Sequence, residues 1–383
     1  MSLRSLTAVL VGGAVLAGCS VPQSPGGSWE DKPSVGPARE PQPRIPGERA
    51  DSGIGGRTGD RSQSNKIKPP EGCKDFDPAV LATCLDQVTA VTAMPGGESA
   101  LAGERTTGRV LIVVPDQPVK LLTTLGVEAT GDGGLTALIR SGSYEQDKIV
   151  YAYITTGEDN RVVRFVPGDT PKPVLTGIPK GATHNRGALA LDKDGSLLVA
   201  TGDAGNPAAV ADPASLAGKV LRVDGFGKPA ADNPLPGNPV LASGLQSPGG
   251  LCHTPETNVT WVTDGGEREA LYRITPGKPL GAPAWNWTDK PGLGGCAAWG
   301  DLIMITSVNT NSILSLPVQP DGSFGGQPNP YLKDVYGRLA PLERLSKDSA
   351  LAGTVNKGAE KKVSSDDRVV VIQRDKNPSG GID

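Results

Sequence analysis

An all-β chain closed into a six-bladed propeller of four-stranded antiparallel blades is the fold the sequence predicts, on three observations. With 52 glycines and 35 prolines among 383 residues and only 4% aromatics, long helices are excluded, because Gly and Pro oppose a helix interior by about 1 and 3 kcal/mol. Short Val-, Leu- and Ile-rich runs, among them GRVLIVVP, KIVYAYIT, SLLVATGD, VTWVTDGG and RVVVIQRD, are bounded by Gly, Asp, Asn and Pro clusters, the pattern of strands separated by turns. These runs recur in units that begin near Val88, Leu135, Gly187, Gly249, Cys296 and Arg338. Their period is roughly 45 to 60 residues, the length of a four-stranded blade. A β-sandwich would supply the same strands but not the period, and ring closure removes the edges that so much sheet would present. Only Pro78 to Cys84 and Pro213 to Ala217 read as single helical turns.

The chain begins with an address rather than a structural element. Arg4 precedes an apolar run from Leu6 to Ala17, too short for a hydrocarbon core of roughly 30 Å but the length of a signal-peptide core. The run closes on Leu16-Ala17-Gly18-Cys19, which resembles the bacterial lipobox, so residues 1–18 are expected to be removed and Cys19 lipidated. An ordinary secretory signal with a chance cysteine is the alternative. Residues 19–72 carry PSVGPAREPQPRIPG and very few large apolar side chains. Such a segment cannot offset its chain entropy and is expected to be a disordered tether. The propeller then occupies 73–383, on the extracytoplasmic face of a cell membrane.

Four cysteines remain, Cys73, Cys84, Cys252 and Cys296, an even number that in an oxidising compartment reads as two disulfides. Three pairings are possible. Cys73 with Cys84 closes a short loop and Cys252 with Cys296 ties neighbouring blades, and this is the expected arrangement. With 38 Lys and Arg against 41 Asp and Glu, the formal charge is −3. No basic excess exists to neutralise nucleic-acid phosphates. Walker, nucleophile-elbow, zinc-protease and dinucleotide fingerprints are all missing.

The third and fourth units carry a family resemblance. HNRGALALDKDGSLLVATGDAGN from His184, SLAGKVLRVD, Asp232-Asn233-Pro234 and SGLQSPGGLCHTPETNVTWVTDGG resemble the soluble PQQ-dependent glucose, sorbosone and aldose sugar dehydrogenases. Gly133-Gly134-Leu135 and the Asn160 to Phe165 strand extend the likeness into the second unit. The resemblance implies PQQ and Ca²⁺ as cofactors and His184 as the catalytic base that takes the sugar C1 hydroxyl proton. An imidazole suits that task, an effect typically worth 10²–10⁴-fold. His253, in an inter-strand turn, reads as structural.

The cofactor residues depart from the family pattern. Where the family carries Arg-Asn-Pro-Gln-Gly-Leu, this chain has Gln246-Ser247-Pro248-Gly249-Gly250-Leu251, so Gln246 and Ser247 stand in cofactor-facing positions. PQQ is a tricarboxylate, and a lost Arg removes a charge-assisted, forked hydrogen bond. Gly265 and Gly266 align with residues whose backbone carbonyls hold calcium, although Asp264-Gly265-Gly266 is also a turn sequence. In the sixth unit Arg338 remains of two family arginines, and Ala340 replaces the other. Arg344 and Lys333 are the nearby cations.

Two functional classes follow. One is a catalytically degenerate propeller that binds a cell-envelope sugar or a protein partner. The other is a quinoprotein oxidising an aldose at its anomeric carbon with PQQ and Ca²⁺. Membrane contact through the lipid anchor is common to both, and nucleic acid to neither.

Overall fold

The structure, a computed structural model, describes residues 67–360 and 362–378. The signal segment, Cys19 and the tether as far as residue 66 lie outside the described residues. Six four-stranded antiparallel sheets stand in a ring. Their inner strands are Val88–Ala93, Leu135–Arg140, Gly187–Leu191, Pro248–Thr254, Leu293–Ala298 and Leu339–Arg344. These six starts lie within three residues of the expected unit starts, so the repeat read from sequence is the blade repeat.

Blades one to five each use four consecutive strands. Blade six combines Leu339–Arg344, Ser349–Thr354 and Val369–Gln373 with an outermost strand from the other end of the chain, Val80–Ala82. That strand pairs Val80 with Val370 and Ala82 with Val369, which closes the ring. The expected helical turn at Pro78 to Cys84 is therefore corrected. The open edge of Val369–Gln373 offers unpaired backbone groups, and a Val-Leu segment satisfies them. The second expected turn is also displaced: among the described residues the helices are Tyr144–Asp147, Pro207–Ala211 and a single 3-10 turn at Asn356–Gly358, with Pro207 at a helix start where its missing N–H costs nothing.

Both expected disulfides are present. Cys73 and Cys84 bracket the closing strand with Cα atoms 5.3 Å apart. Cys252 and Cys296 join the inner strands of blades four and five at 5.8 Å. Tyr336 donates to Asp77 at 2.9 Å and Arg368 pairs with Asp75 at 3.2 Å, so the segment ahead of the closing strand is also fastened to blade six.

The core is not one cluster but six apolar layers, one between each adjacent pair of blades. Strands such as Val150–Thr155 and Leu302–Ser307 are buried along their whole length, because both faces of a middle strand meet a neighbouring blade. Successive side chains point to opposite faces, so a strand between two layers reads as a continuous apolar run rather than an alternating one. At the axis the inner strands approach closely: a Cβ on Gly294 or Gly295 would lie 2.4 Å from the Ala340 oxygen or 2.2 Å from the Leu342 nitrogen.

Candidate functional site

Topology alone gathers the candidate residues. Every inner strand starts at the same face of the ring, and the turn between each blade's second and third strands returns to it. His184, Gln246, Ser247 and Arg338 precede the inner strands of blades three, four and six, while Gly265 and Gly266 lie at such a turn in blade four. The equivalent turn in blade three holds a residue that sequence reasoning left without a role, Asp203.

Asp203 is buried, and its Oδ1 lies 2.7 Å from His184 Nδ1. The His184 side chain is 30% exposed. A carboxylate accepting Nδ1–H fixes the tautomer and leaves Nε2 as the accessible basic atom. The backbone holds this pair in place. His184 adopts φ 58° and Ala204 φ 55°, left-handed conformations that ordinary residues keep only where surroundings enforce them. Enforcement comes from Ala204 N–H donating to the His184 carbonyl at 3.2 Å and Asp203 N–H to the Gln246 carbonyl at 2.8 Å. Asp203 Oδ2 is buried without a protein partner.

Asp264 organises blade four. Its carboxylate accepts the backbone N–H groups of Gln246 at 3.0 Å and Ser247 at 2.6 Å. Burial pushes its pKa up to about 6, against the opposing pull of those two hydrogen bonds and of Arg186. Ser247 is buried, and its carbonyl accepts Gly265 N–H at 2.9 Å. Gln246 turns its carboxamide onto the adjoining loop: Oε1 accepts Glu267 N–H at 2.7 Å and lies 2.1 Å from where a Gly266 Cβ would be. The structure thus places Gln246, Ser247, Gly265 and Gly266 together, with the Gln246 side chain engaged in the turn.

Arg186 is the second residue without a role in the sequence reading. Its Nη2 donates to the Leu293 carbonyl at 3.2 Å. That nitrogen lies 2.8 Å from the position of a Gly249 Cβ and 3.9 Å from that of a Gly265 Cβ. Its guanidinium therefore occupies the floor between blades four and five, beside the expected calcium carbonyls. Burial pulls its pKa down, and Asp132, Asp264 and Glu269 pull it back up.

Arg338 stands apart, in a hollow of about 290 Å³ between blades five and six with Val308, Asn309, Asn311 and Asn356. Its backbone N–H donates to Asn356 Oδ1 at 2.7 Å. Its guanidinium has no hydrogen-bond partner among the described residues. Arg344 does not supply the missing cation. It ends the strand that Arg338 precedes, about 20 Å along at roughly 3.3 Å per residue, and forks onto Glu256 at 2.9 and 2.6 Å. Lys333 is exposed on the loop before blade six. Nor does His184 line the cavity that runs along the axis. That space, about 440 Å³, follows the channel toward the opposite face, lined by apolar inner-strand side chains with Glu343 and His253. Burial raises Glu343 to about 7, and His253 Nδ1 meets Thr260 Oγ1 at 3.1 Å.

The residues present do not fit calcium as a cofactor ion. Ca²⁺ takes six to eight oxygens at roughly 2.3–2.6 Å, and here a cationic guanidinium lies 3.9 Å from where a Gly265 Cβ would be, so a second cation at the glycine backbone would meet like charge.

A sequence profile described as Glucose / Sorbosone dehydrogenase matches residues 85–293, more than half of the chain. Aldose sugar dehydrogenase YliI of Escherichia coli is 26% identical over 181 residues, 42% of this chain and 49% of that protein. The chain spans about half the length of the curated relatives it matches. Among solved structures, the PQQ-bound aldose sugar dehydrogenase of Streptomyces coelicolor is similar with a TM-score of 0.72 and 28% identity, covering 77% of this chain and 96% of that one. A glucose dehydrogenase-like oxidoreductase of Thermus thermophilus gives 0.70 and 26%, covering 77% and 98%.

Proposed function

The chain belongs to the glucose/sorbosone dehydrogenase family, and from that membership we propose that it is a sugar-binding propeller without quinone chemistry, anchored outside the cell membrane through Cys19. The observation that carries the reading is the filled cradle, with Arg186 beside Gly265 and the Gln246 carboxamide over Gly266. Two disulfides support an oxidising compartment.

What remains is suited to hydroxyl groups. His184 Nε2 is free to accept one, and Asp203, locked to Nδ1, fixes the ring that receives it. A ligand sugar buries little apolar surface, so recognition rests on such fixed polar atoms, each worth about 1–3 kcal/mol when left unpaired. The same pair favours one other reading, aldose oxidation, in which His184 accepts the C1 hydroxyl proton. That step needs a hydride acceptor, and Gln246 and Ala340 stand where the family pattern has arginines directed at its own.

Calorimetric titration with a panel of neutral aldoses and envelope oligosaccharides, in EDTA, tests the proposal. One ligand class is expected to bind, with affinity lowered about tenfold or more by His184→Ala, corresponding to at least 1.4 kcal/mol. Binding of every sugar unchanged by His184→Ala, or of none, would remove the sugar site from this face.

A further inference from the structure

A cation stands at the centre of this face already, supplied by the chain. Arg186 sits two residues past His184, directly before the inner strand Gly187–Leu191, so its side chain leaves the loop at the axis. There the inner strand of blade four carries Gly249, and the space its missing Cβ leaves is the space one guanidinium nitrogen uses, 2.8 Å from where that Cβ would be. One nitrogen bonds the Leu293 carbonyl at 3.2 Å, on blade five, and packs over Gly249 and Gly265 on blade four. No carboxylate oxygen comes within ion-pair distance of it among the described residues. Yet the face is acidic. Asp203 and Asp264 are buried at 1% and 2% exposure, Glu269 at 6%, and Asp203 Oδ2 lacks any partner. Buried carboxylates without a counter-charge are costly, and a single guanidinium set among several lowers that cost for all of them without committing to one.

We propose that Arg186 is the built-in cation of this site: its guanidinium takes the place beside the Gly265 backbone that a divalent ion would need, and makes the ligand-binding face independent of metal. The inference deepens the sugar-binding reading, and it rests on the same filled cradle. It assigns Arg186 an electrostatic and positioning task, joining the Leu293 carbonyl of blade five to the Gly249 and Gly265 backbone of blade four, with no direct part in any reaction.

The consequence is reciprocal. While Arg186 is present, Ca²⁺ has no site. Once the guanidinium is removed, the Leu293 carbonyl, the Gly265 backbone and the carboxylates whose charge it offsets, Asp132, Asp264 and Glu269, face an uncompensated hollow, and these are oxygen donors of the kind Ca²⁺ accepts.

The test is thermal unfolding of the full chain in EDTA and in millimolar CaCl2. The wild-type midpoint is expected to be the same in both. Arg186→Ala is expected to unfold earlier in EDTA and to regain several degrees in calcium, about the response to a ligand at a hundredfold its Kd. Arg186→Lys keeps a cation and is expected to show no calcium response, which covers the case that the alanine variant fails to fold. Terbium luminescence of the wild-type protein gives a second readout that needs no variant, and no sensitised emission is expected. A calcium-dependent rise or terbium emission in the wild type would overturn the proposal, as would a folded Arg186→Ala indifferent to calcium. Sugar titrations in the same buffers keep the two readings apart. Absence of sugar binding by the wild type in both buffers defeats the sugar site and leaves Arg186 as assigned, whereas wild-type sugar binding that requires calcium defeats the assignment of Arg186.

Discussion

Replacing Cys252 and Cys296 together with alanine is expected to lower the unfolding free energy by about 4 kcal/mol, the chain-entropy value for a cross-link closing a loop of this length. The bond spans 44 residues and joins two adjacent inner strands, so it removes unfolded conformations in which blades four and five separate. Both sulfurs sit in the apolar layer with Trp261, Leu271, Leu293 and Ile305, where alanine leaves small voids but no unpaired polar group. A seam is also where a ring opens: without the staple, the layer between blades four and five is held by its apolar contacts alone. Urea denaturation with matched slopes measures the loss, and hydrogen exchange should accelerate first in Pro248–Thr254 and Leu293–Ala298. A loss below about 1 kcal/mol would show that the seam is held by its apolar layer alone. The Cys73–Cys84 bond, with a separation of 11, should contribute less on the same scale, about 3 kcal/mol.

A single methyl group at Gly202 is expected to cost about 3 kcal/mol, the upper range for overpacking a buried position. Gly202 is buried where the turn of blade three passes under His184. A Cβ there would lie 2.0 Å from the His184 carbonyl oxygen and 3.1 Å from that of Gln246. Both oxygens are backbone, so neither has a rotamer to retreat into. Relief requires the left-handed His184 peptide to shift, breaking the Ala204 to His184 and Asp203 to Gln246 hydrogen bonds and the imidazole–carboxylate pair that depends on them. Gly202→Ala should therefore lose stability and sugar affinity together, read by denaturation and by calorimetry. Wild-type stability in this variant would mean that the loops around His184 are not held as described.

Much of this architecture is visible in the sequence because it repeats. Val88, Leu135, Gly187, Gly249, Cys296 and Arg338 mark blade starts to within a few residues, since each blade must rebuild the same alternation of apolar run and turn. The closing strand does not repeat. Val80–Ala82 is three residues long, and its partner, Val369–Gln373, is almost the whole chain away, so nothing local distinguishes it from a loop. At the site, His184 was legible from a family motif, whereas its partner Asp203 lies across two loops. Arg186 stood beside His184 in plain view, but its role depends on the approach of Leu293, 107 residues later. Gln246 shows the converse: its identity implied a weakened contact to a cofactor, and only the fold shows the side chain bonded to the Glu267 backbone.

The measurement that bears most directly on the central claim is a calorimetric titration of the purified protein with PQQ in the presence of CaCl2, paired with dye reduction over a panel of aldoses. Two charge-assisted contacts are missing at Gln246 and Ala340, each worth roughly 1.5–3 kcal/mol, so affinity should be weaker by on the order of 10² to 10⁴-fold than a site retaining both. Micromolar PQQ is expected not to saturate the protein, no dye to be reduced, and neither result to change on His184→Ala. Saturation by micromolar PQQ, with sugar-dependent dye reduction that His184→Ala abolishes, would contradict it and establish an active quinoprotein.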